Sequence, residues 1–244
     1  MALMCGRYAS TRSPADLAAL FDAEDETDGV LAPDYNVAPT DPAPIVRLTE
    51  RAAGRVITAA RWGLVPAWLD SPRSAPRMIN ARAETVATSP AFARSFAQRR
   101  CLVPADGWYE WVVAGKRRQP YFMTRPDGLV FAGLWTASGA DGSRLITFSI
   151  VTLPATGALS KVHSRMPMVL PPDRYEDWLT ATNPSALLQP APTSYLAHIE
   201  IRPVSPAVGN VHNDGPELIR PVAPATDGQS TMETPSGESE PTLF

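Results

Sequence analysis

Short runs of β-branched and aromatic residues recur along this chain, and Gly, Pro or Asp interrupts the sequence between them. Such runs favour β-strands, because branched and aromatic side chains pack well on a pleated surface. They predict strands at residues 5–9, 44–48, 56–62, 100–103, 108–113, 120–123, 129–134, 145–152, 167–170 and 199–204. Helices are predicted at residues 14–23, 90–98 and 172–180. Ser13 and Ser89 each precede a proline, the order expected for an N-cap followed by the first helical residue.

Many short strands and few helices indicate an α+β fold. We expect a single domain built on a curved, mainly antiparallel β-sheet or barrel-like core with a few short helices. The 26 prolines limit long helices further, since each proline removes a backbone donor. Residues 222–244 are rich in Ser, Thr, Pro, Gly and Glu, so we expect a disordered acidic tail there. The expected domain covers residues 5–221, preceded by a short leader at residues 1–4.

Composition restricts the class of protein further. The chain of 244 residues is 44% hydrophobic and 19% charged, which is ordinary for a globular domain. No apolar run approaches the roughly 18–20 residues that cross a bilayer, and two cysteines cannot support a disulfide scaffold. We therefore expect a cytoplasmic protein without membrane contact, acting as a monomer. The cysteines and histidines lack metal-ligand spacing and no Gly-rich phosphate loop is present, so neither a metal nor a cofactor is expected.

The formal net charge of −3 conceals an uneven distribution of charge. Residues 71–125 carry ten basic residues against three acidic residues, a local net charge of +7. Residues 221–244, in contrast, carry four acidic residues and no basic one. A basic stretch within a nearly neutral domain is either a binding site for a polyanion or a surface that simply faces solvent.

Cys5 follows Met4 near the start of the chain and is a candidate nucleophile. A cysteine at a mature N-terminus carries, beside its thiol, an amine with a reference pKa of about 8, so much of that amine is unprotonated at neutral pH. The amine can form a Schiff base with an aldehyde, and the thiolate can then close a thiazolidine ring. This chemistry requires Cys5 to be the first residue of the mature protein. The alternative is a small buried residue in an edge strand.

Two further residues are candidates for proton transfer. Glu110 lies within the aromatic run at residues 107–111. Burial among aromatic side chains raises the pKa of a carboxyl group and suits it to proton transfer near neutral pH, whereas an acid on the wet face of a strand would have no such role. His163 comes just before a predicted strand and is either catalytic or structural.

Candidate binding residues lie in two neighbouring segments. Apolar and polar residues alternate along residues 78–85, so an extended backbone would aim Asn80, Arg82 and Glu84 at one face. Asparagine offers both a donor and an acceptor, and arginine offers a fork that fits a phosphate. Upstream, residues 61–68 hold two tryptophans, Trp62 and Trp68, and one exposed there would be available to stack on an unpaired base, although core packing is the commoner use of tryptophan.

Together, seven segments of this chain resemble one family, the SOS response-associated peptidase domain, also called abasic site processing proteins. The segments are Met4-Cys5-Gly6-Arg7-Tyr8, Tyr35-Asn36-Val37-Ala38-Pro39, Trp62-Gly63 through Pro66-Ala67-Trp68, Ile79-Asn80-Ala81-Arg82-Ala83-Glu84-Thr85, Ala105-Asp106-Gly107-Trp108-Tyr109-Glu110-Trp111, His163-Ser164-Arg165-Met166-Pro167, and Pro203-Val204-Ser205 through Val208-Gly209-Asn210. They occur in the family's order and span about residues 4–221.

The resemblance implies a sensor of abasic sites in single-stranded DNA. In this family the mature N-terminal cysteine, here Cys5, attacks the ring-opened sugar aldehyde and forms a stable thiazolidine crosslink. Asn80 would hydrogen-bond the opened sugar, and His163 would assist sugar ring opening and Schiff-base formation. Glu110 would transfer protons beside the amine, and is implicated in reversal of the crosslink and in removal of the initiator methionine.

The resemblance also implies the DNA contacts. Arg7, Arg82 and Arg165 resemble the phosphate contacts, and Thr152 offers a hydroxyl contact. Trp68 matches an aromatic residue that abuts the bases beside the lesion. The implied activities are covalent capture of DNA, cysteine-dependent autopeptidase activity and, in addition, lyase activity. The implied location is the cytoplasm, with association with the nucleoid when DNA is bound.

One departure from the family pattern concerns the start of the chain. The cysteine should directly follow the initiator methionine, whereas residues 1–3 precede Met4 here. Either translation starts at Met4 or the domain removes residues 1–4 itself. If neither holds, the amine of Cys5 stays acylated, and the chain would bind DNA without crosslinking to it.

Three other functions remain open on the sequence. Glutamine amidotransferases also begin Met-Cys-Gly, so an N-terminal-nucleophile amidohydrolase is one, although no residues for an oxyanion pocket are recognised downstream. A non-covalent single-stranded DNA binding module with an inert cysteine is the second. A peptidase acting on other proteins is the third, and we expect peptide cleavage to be limited to the chain's own leader.

Overall fold

The structure is a computed structural model that describes residues 6–49, 54–66, 68, 78–114, 117–138 and 145–223. Cys5, the leader expected at residues 1–4 and residues 224–244 of the expected tail lie outside the described residues. The strands in the described part are β1 (Tyr8–Ser10), β2 (Ala23–Glu26), β3 (Asp34–Val37), β4 (Pro42–Thr49), β5 (Gly54–Trp62), β6 (Asn80–Arg82), β7 (Arg100–Ala114), β8 (Arg117–Ser138), β9 (Leu145–Pro154), β10 (Arg165–Pro167) and β11 (Glu200–Pro203).

Helices in the same part of the chain are short. The α-helices are α1 (Pro14–Phe21), α2 (Ala93–Gln98), α3 (Tyr175–Thr180) and α4 (Thr193–Leu196). Single turns of 3₁₀ helix lie at Gly157–Lys161, Pro172–Arg174, Pro184–Leu187, Pro206–Gly209 and Pro216–Ile219. Four of these five turns begin with proline, whose fixed φ suits the first position of a helix and whose missing N–H costs nothing there.

The strands close into a barrel. Neighbouring strands pair in the order β8–β9–β5–β4–β7, and β7 also pairs with β8, which closes the ring. β1 and β3 extend the sheet from β7, and β11 is added to β8. Most pairs are antiparallel, whereas β2–β5, β5–β9 and β6–β9 are parallel. The predicted fold class, a single α+β domain on a curved, mainly antiparallel and barrel-like sheet, is therefore confirmed.

β7 and β8 form one long hairpin, so strands predicted separately are continuous. The runs predicted at residues 100–103 and 108–113 are both parts of β7. Those predicted at residues 120–123 and 129–134 are both parts of β8. The sequence between the runs carries Pro and Gly, which interrupt the hydrophobic pattern without ending the strands.

The hairpin bends where its register shifts. Ala105 pairs with Leu129, but Gly107 pairs with Thr124, so β8 carries several extra residues opposite one residue of β7. At the bend the two strands pack closely: a Cβ at Gly107 would collide with the ring of Phe122. Glycine is therefore required at this position by packing, and the bend directs the second half of β7 toward β1.

The two predicted N-caps have different outcomes. Ser13 caps α1, because its Oγ accepts a hydrogen bond from the backbone N–H of Asp16 at 3.1 Å. Ser89 does not cap α2, which begins only at Ala93 after turns at residues 90–92. The predicted proline signal at residue 90 therefore marks a turn that precedes the helix.

Three strands differ from the sequence pattern. β2 is acidic and exposed, and it is extended because it pairs in parallel with the start of β5. β3 is extended because it pairs with β1. The strand predicted at residues 167–170 begins earlier, at Arg165, and Val169 forms only a single bridge with Phe131.

Aromatic side chains pack together on one face of the barrel strands. Tyr8 meets Trp62 and Phe131 edge to face, with ring centroids 5.0 and 6.2 Å apart. Trp108 meets Phe131 in the same way at 6.0 Å. The opposite face of the strands forms a second buried cluster with side chains of α1, α2 and α3. The aromatic cluster thus joins β1, β5 and β7, the strands that lead into the candidate site.

Candidate functional site

The end of β9 brings two distant segments together. β6 runs parallel to it, with Asn80 beside Ile150 and Arg82 beside Thr152. β10 pairs antiparallel with the same stretch, with Arg165 beside Pro154. The structure therefore groups four of the predicted site residues, Asn80, Arg82, Thr152 and Arg165, around one strand end.

Trp62 and Gly63 hold the backbone that leads to Asn80. The indole Nε1 of Trp62 donates to the carbonyl oxygen of Ile79 at 3.0 Å, and the backbone N–H of Ile150 donates to the same oxygen at 2.9 Å. Gly63 has a φ of +120°, which glycine adopts without strain, and its N–H donates to Phe148 at 2.8 Å. The Trp-Gly pair in the sequence is thus a structural support for Asn80.

Arg165 is bound by groups of the protein itself. Its Nη1 and Nη2 donate to the two carboxylate oxygens of Glu84 at 2.6 and 2.9 Å. Nη2 also donates to the carbonyl oxygen and Oγ1 of Thr152 at 2.7 and 3.2 Å. The hydrogen bonds from Arg165 lower the pKa of the Glu84 carboxyl. Thr152 is fully buried, so its hydroxyl serves Arg165 rather than the surface.

His163 is held by the backbone two residues further along. Its Nδ1 lies 3.1 Å from both the backbone N and the backbone O of Arg165. Either Nδ1 accepts from the N–H or an Nδ1–H donates to the carbonyl, depending on the tautomer. Among the described residues Nε2 has no hydrogen-bond partner, so this half-buried ring keeps one nitrogen for a ligand.

Glu110 is buried beside the start of the described chain. Its side chain is 3% exposed, so the alternative of an acid on a wet face is wrong. β1 pairs with β7 through Tyr8 and Trp108, and the N–H of Tyr109 donates to the Arg7 carbonyl at 3.0 Å. Extending this antiparallel register sets Gly6 opposite Glu110. Glu110 shares a strand face with Trp108, a member of the aromatic cluster.

Arg7 is anchored inside the fold. Its Nη1 donates to Asn36 Oδ1 at 2.7 Å and to the carbonyl of Val208 at 3.0 Å. Asn36 in turn donates from Nδ2 to the carbonyls of Asn210 and Asn213 at 3.0 and 2.7 Å. Burial lowers the pKa of the Arg7 guanidinium. The segments around Asn36 and Val208 therefore meet at Arg7, a partnership that the sequence alone did not indicate.

Arg82 and Trp68 face outward. Arg82 is exposed and forms no ion pair with any other described residue. Trp68 is 65% exposed and lines a shallow pocket together with Arg94 and Arg99. Trp62, in contrast, is fully buried, so of these two tryptophans Trp68 is the one available for stacking.

Other candidates for chemistry do not join this site. Cys101 is fully buried, and burial raises the pKa of its thiol, so it is a packed residue. A cavity of about 280 Å³ lies elsewhere, lined by Arg12, Phe21, Tyr175 and Tyr195 among others, and by none of the predicted site residues. Within the described residues, no His, Cys, Asp and Glu side chains are grouped closely enough to bind a metal, and no helix is long and apolar enough to cross a membrane.

The sequence assigns no role to Glu84 or to Asn36, although both hold site arginines in the structure. Alternation along residues 78–85 places Glu84 on the same face as Asn80 and Arg82, and this alternation is its only signal. Its partner Arg165 is 81 residues away in the chain. Asn36 has no signal beyond its place in a conspicuous Tyr-Asn-Val-Ala-Pro segment.

Known proteins resemble this chain over most of its length. The family model described as SOS response associated peptidase (SRAP) matches residues 4–211. The chain is 35% identical over 228 residues to the abasic site processing protein YedK of Escherichia coli (strain K12), a match that covers 90% of this chain and 100% of that protein. It is 29% identical to the abasic site processing protein HMCES of Gallus gallus, covering 90% of this chain and 78% of that protein.

Solved structures share the fold. A crystal structure of a protein from Bacteroides thetaiotaomicron matches with a TM-score of 0.77 at 23% identity, covering 90% of this chain and 100% of that one. The crystal structure of a phage-related protein from Bordetella bronchiseptica matches with a TM-score of 0.64 at 30% identity, covering 82% of this chain and 94% of that one. With the family model matched over residues 4–211, this chain belongs to the SOS response associated peptidase family.

Proposed function

We propose that this protein captures abasic sites in single-stranded DNA by forming a thiazolidine between Cys5 and the aldehyde of the ring-opened deoxyribose. The observation that carries the proposal is the position of Glu110. This buried carboxyl lies on β7 at the position that the extended register of β1 sets opposite Gly6, the residue that follows Cys5 in the sequence. An acid sheltered from water next to an N-terminal amine is what Schiff-base chemistry needs for proton transfer. The names of the relatives agree with this substrate.

The reaction balances with the groups of Cys5 alone. The α-amine adds to the aldehyde carbon, the carbinolamine loses water, and an imine forms. The thiolate then adds to the imine carbon, a carbon–sulfur bond closes the five-membered ring, and the ring nitrogen takes up a proton. The product has the mass of protein plus DNA less one water.

Glu110, Asn80 and His163 serve successive proton and hydrogen-bond steps. Glu110 takes the proton from the ammonium group and returns one to the departing hydroxyl. Asn80, whose backbone is fixed through Ile79, hydrogen-bonds the opened sugar. His163 presents Nε2 for the proton transfer that opens the sugar ring, since its Nδ1 is engaged with Arg165. Substituting Glu110 by Gln should slow capture by roughly 100-fold without preventing DNA binding.

The DNA backbone is bound through arginine. Arg82 is exposed and free of ion pairs with described residues, so it is available to a phosphate. Arg165, held in place by the buried Thr152, contributes at the same strand end, and the anchored Arg7 contributes positive charge beside Gly6. Trp68 stacks on a base beside the lesion. These contacts carry no sequence information, so recognition depends on the aldehyde and the missing base.

Capture requires Cys5 to be the mature N-terminus. We propose that Met4 is the initiator and is removed, or that the domain cleaves residues 1–4 from itself. Without such processing the amine of Cys5 is part of an amide and cannot form the imine.

Intact mass measurement tests the proposal directly. Purified protein is measured alone and after mixing with a single-stranded oligonucleotide that carries one abasic site. We expect a protein beginning at Cys5 and a denaturation-stable adduct heavier by the oligonucleotide less one water. Cys5→Ala should abolish the adduct, and Cys101→Ala, the matched control at the buried cysteine, should retain it.

Two outcomes would contradict the proposal. A protein that begins at Cys5 but forms no adduct would favour the non-covalent binding module, particularly if binding remains sensitive to salt. Release of ammonia from glutamine would favour the amidohydrolase instead.

A tetrahydrofuran abasic analogue serves as the control for the substrate. It has no aldehyde, so it should bind without forming an adduct.

A further inference from the structure

Glu84 occupies the position on Arg165 that a phosphate group would take. Both terminal nitrogens of the guanidinium face the two carboxylate oxygens, at 2.6 and 2.9 Å. A phosphodiester also presents two oxygens to this fork, with similar geometry and the same sign of charge. The carboxylate therefore imitates the ligand that Arg165 is proposed to bind.

The remaining donors of Arg165 are largely committed. A guanidinium has five N–H groups. Two are directed at Glu84, and Nη2 also serves the carbonyl and hydroxyl oxygens of Thr152. Nε is buried and has no hydrogen-bond partner among the residues that the structure describes. A phosphate can therefore form a bidentate contact with the accessible side of Arg165 only by taking the place of Glu84.

The two partners of this ion pair differ in how far they are exposed to solvent. The Arg165 side chain is 14% exposed and is held by Thr152, whereas the Glu84 side chain is 46% exposed. Glu84 loses little when it turns into water, because a solvated carboxylate keeps its hydration. Arg165 would remain in place, ready for a new acceptor. Arg82, two residues before Glu84, adds a second positive charge that attracts an incoming phosphate.

We propose that Glu84 is a displaceable occupant of the phosphate site on Arg165, and that the DNA backbone replaces it when single-stranded DNA binds. This inference rests on the proposed function. It assigns Glu84 a role in specificity: only an anion able to bridge both terminal nitrogens competes with it. Anions that bind weakly or through a single oxygen do not displace Glu84 from the terminal nitrogens of Arg165, so the ion pair reduces non-productive binding.

Equilibrium binding of a single-stranded oligonucleotide with a tetrahydrofuran abasic analogue tests the inference. Fluorescence anisotropy at fixed salt gives the dissociation constant without any covalent step. We expect Glu84→Gln to bind roughly 2- to 5-fold tighter than wild type, the range of one partly exposed ion pair. Glu84→Asp keeps the charge but is one methylene too short for both contacts, and it should also bind tighter than wild type.

A double-mutant cycle separates displacement from a change in net charge. In an Arg165→Gln background the fork is absent, and Glu84→Gln should then give no gain in affinity. A gain in affinity from Glu84→Gln that persists in the Arg165→Gln background would mean that only net charge matters, and would overturn the inference. A gain from Glu84→Gln with none from Glu84→Asp would have the same meaning. Weaker binding by Glu84→Gln would also overturn it, since Glu84 would then be positioning Arg165 for DNA.

Failure of this inference is distinguishable from failure of the proposed function. The analogue has no aldehyde, so its binding does not depend on Cys5. If the wild-type protein forms the covalent adduct but substitution of Glu84 leaves the affinity for the analogue unchanged, only the inference about Glu84 fails. If the double-mutant cycle gives the expected result but no adduct forms, only the proposal of covalent capture fails. Absence of any DNA binding overturns both.

Discussion

Arg100 donates from Nε to the backbone oxygen of Trp178 at 2.5 Å, across 78 residues of sequence. Its other nitrogens reach the carbonyls of Phe96 at 2.7 Å and Ala181 at 2.6 Å. These carbonyls lie at the C-terminal ends of α3 and α2, which lack further helical donors and favour a positive charge. One buried arginine at the start of β7 therefore caps the C-terminal ends of two helices. Arg100 belongs to the core, although it lies within the basic stretch at residues 71–125.

Arg100→Met should lower the free energy of unfolding by about 3–5 kcal/mol, because it leaves several buried carbonyls without donors. Arg100→Lys keeps the charge but supplies fewer donors in a fixed plane, so it should lose about half as much. Urea denaturation followed by tryptophan fluorescence measures both. A loss below about 1 kcal/mol for Arg100→Met would show that water replaces the guanidinium at these carbonyls.

Trp62→Phe should combine a loss of stability with slower capture of abasic DNA. The substitution removes the hydrogen bond to Ile79 and so loosens the backbone that carries Asn80. Trp178→Phe is a matched control, because Trp178 is equally buried and donates to Cys101 at 3.0 Å, but packs with the helices. Both variants should lose about 1–3 kcal/mol of stability.

The comparison depends on the rate of adduct formation under conditions where both variants remain folded. Only Trp62→Phe should slow the adduct, since Trp178 supports no candidate catalytic residue. Equal rates for the two variants would mean that Asn80 is positioned without the indole.

Local features of the fold were readable from the sequence. Ser13 before a proline predicted the cap of α1, and alternation along residues 78–85 predicted that Asn80, Arg82 and Glu84 share a face. Such signals act within a few residues, where side-chain chemistry and backbone conformation are directly coupled.

Features that depend on distant partners were not readable. Arg100 and Arg82 both contribute to the same basic stretch, yet one is buried against helix ends and the other is exposed. Nothing local distinguishes them, because Arg100 is also held by carbonyls of α3 and its C-cap, those of Trp178 and Ala181, about 80 positions away in the chain. The continuity of β7 was hidden for a similar reason, since the bend at Gly107 is supported by β8 rather than by its own neighbours.

The ion pair between Glu84 and Arg165 should contribute to stability only above acidic pH. Hydrogen bonding to Arg165 lowers the folded-state pKa of Glu84 below its ordinary value of 4.5. The stabilisation is therefore complete above the unfolded-state pKa and is lost as pH falls through the lower folded-state pKa. The difference in unfolding free energy between wild type and Glu84→Gln should stay constant from about pH 7 to 5 and shrink below about pH 4.

Urea denaturation at several pH values, each with both proteins, measures this difference. Other carboxyl groups titrate in the same range, but their contribution cancels because both proteins carry them. A difference that grows as the pH falls would mean that Glu84 binds its proton more readily in the folded state, which contradicts the ion pair.

Arg82→Gln should weaken binding of single-stranded DNA and reduce its dependence on salt. Arg82 is exposed beside Thr152 and has no ion pair with any described residue, so a phosphate bound to it displaces condensed counterions. Loss of one such contact lowers the slope of log affinity against log salt by about 0.7 for a single strand.

Arg55→Gln is the matched control: Arg55 lies seven residues before Trp62 along β5, pairs with Glu176 and should leave the slope unchanged. Anisotropy titrations at several salt concentrations measure the slopes. Equal slopes for Arg82→Gln and wild type would show that Arg82 faces solvent rather than the DNA backbone.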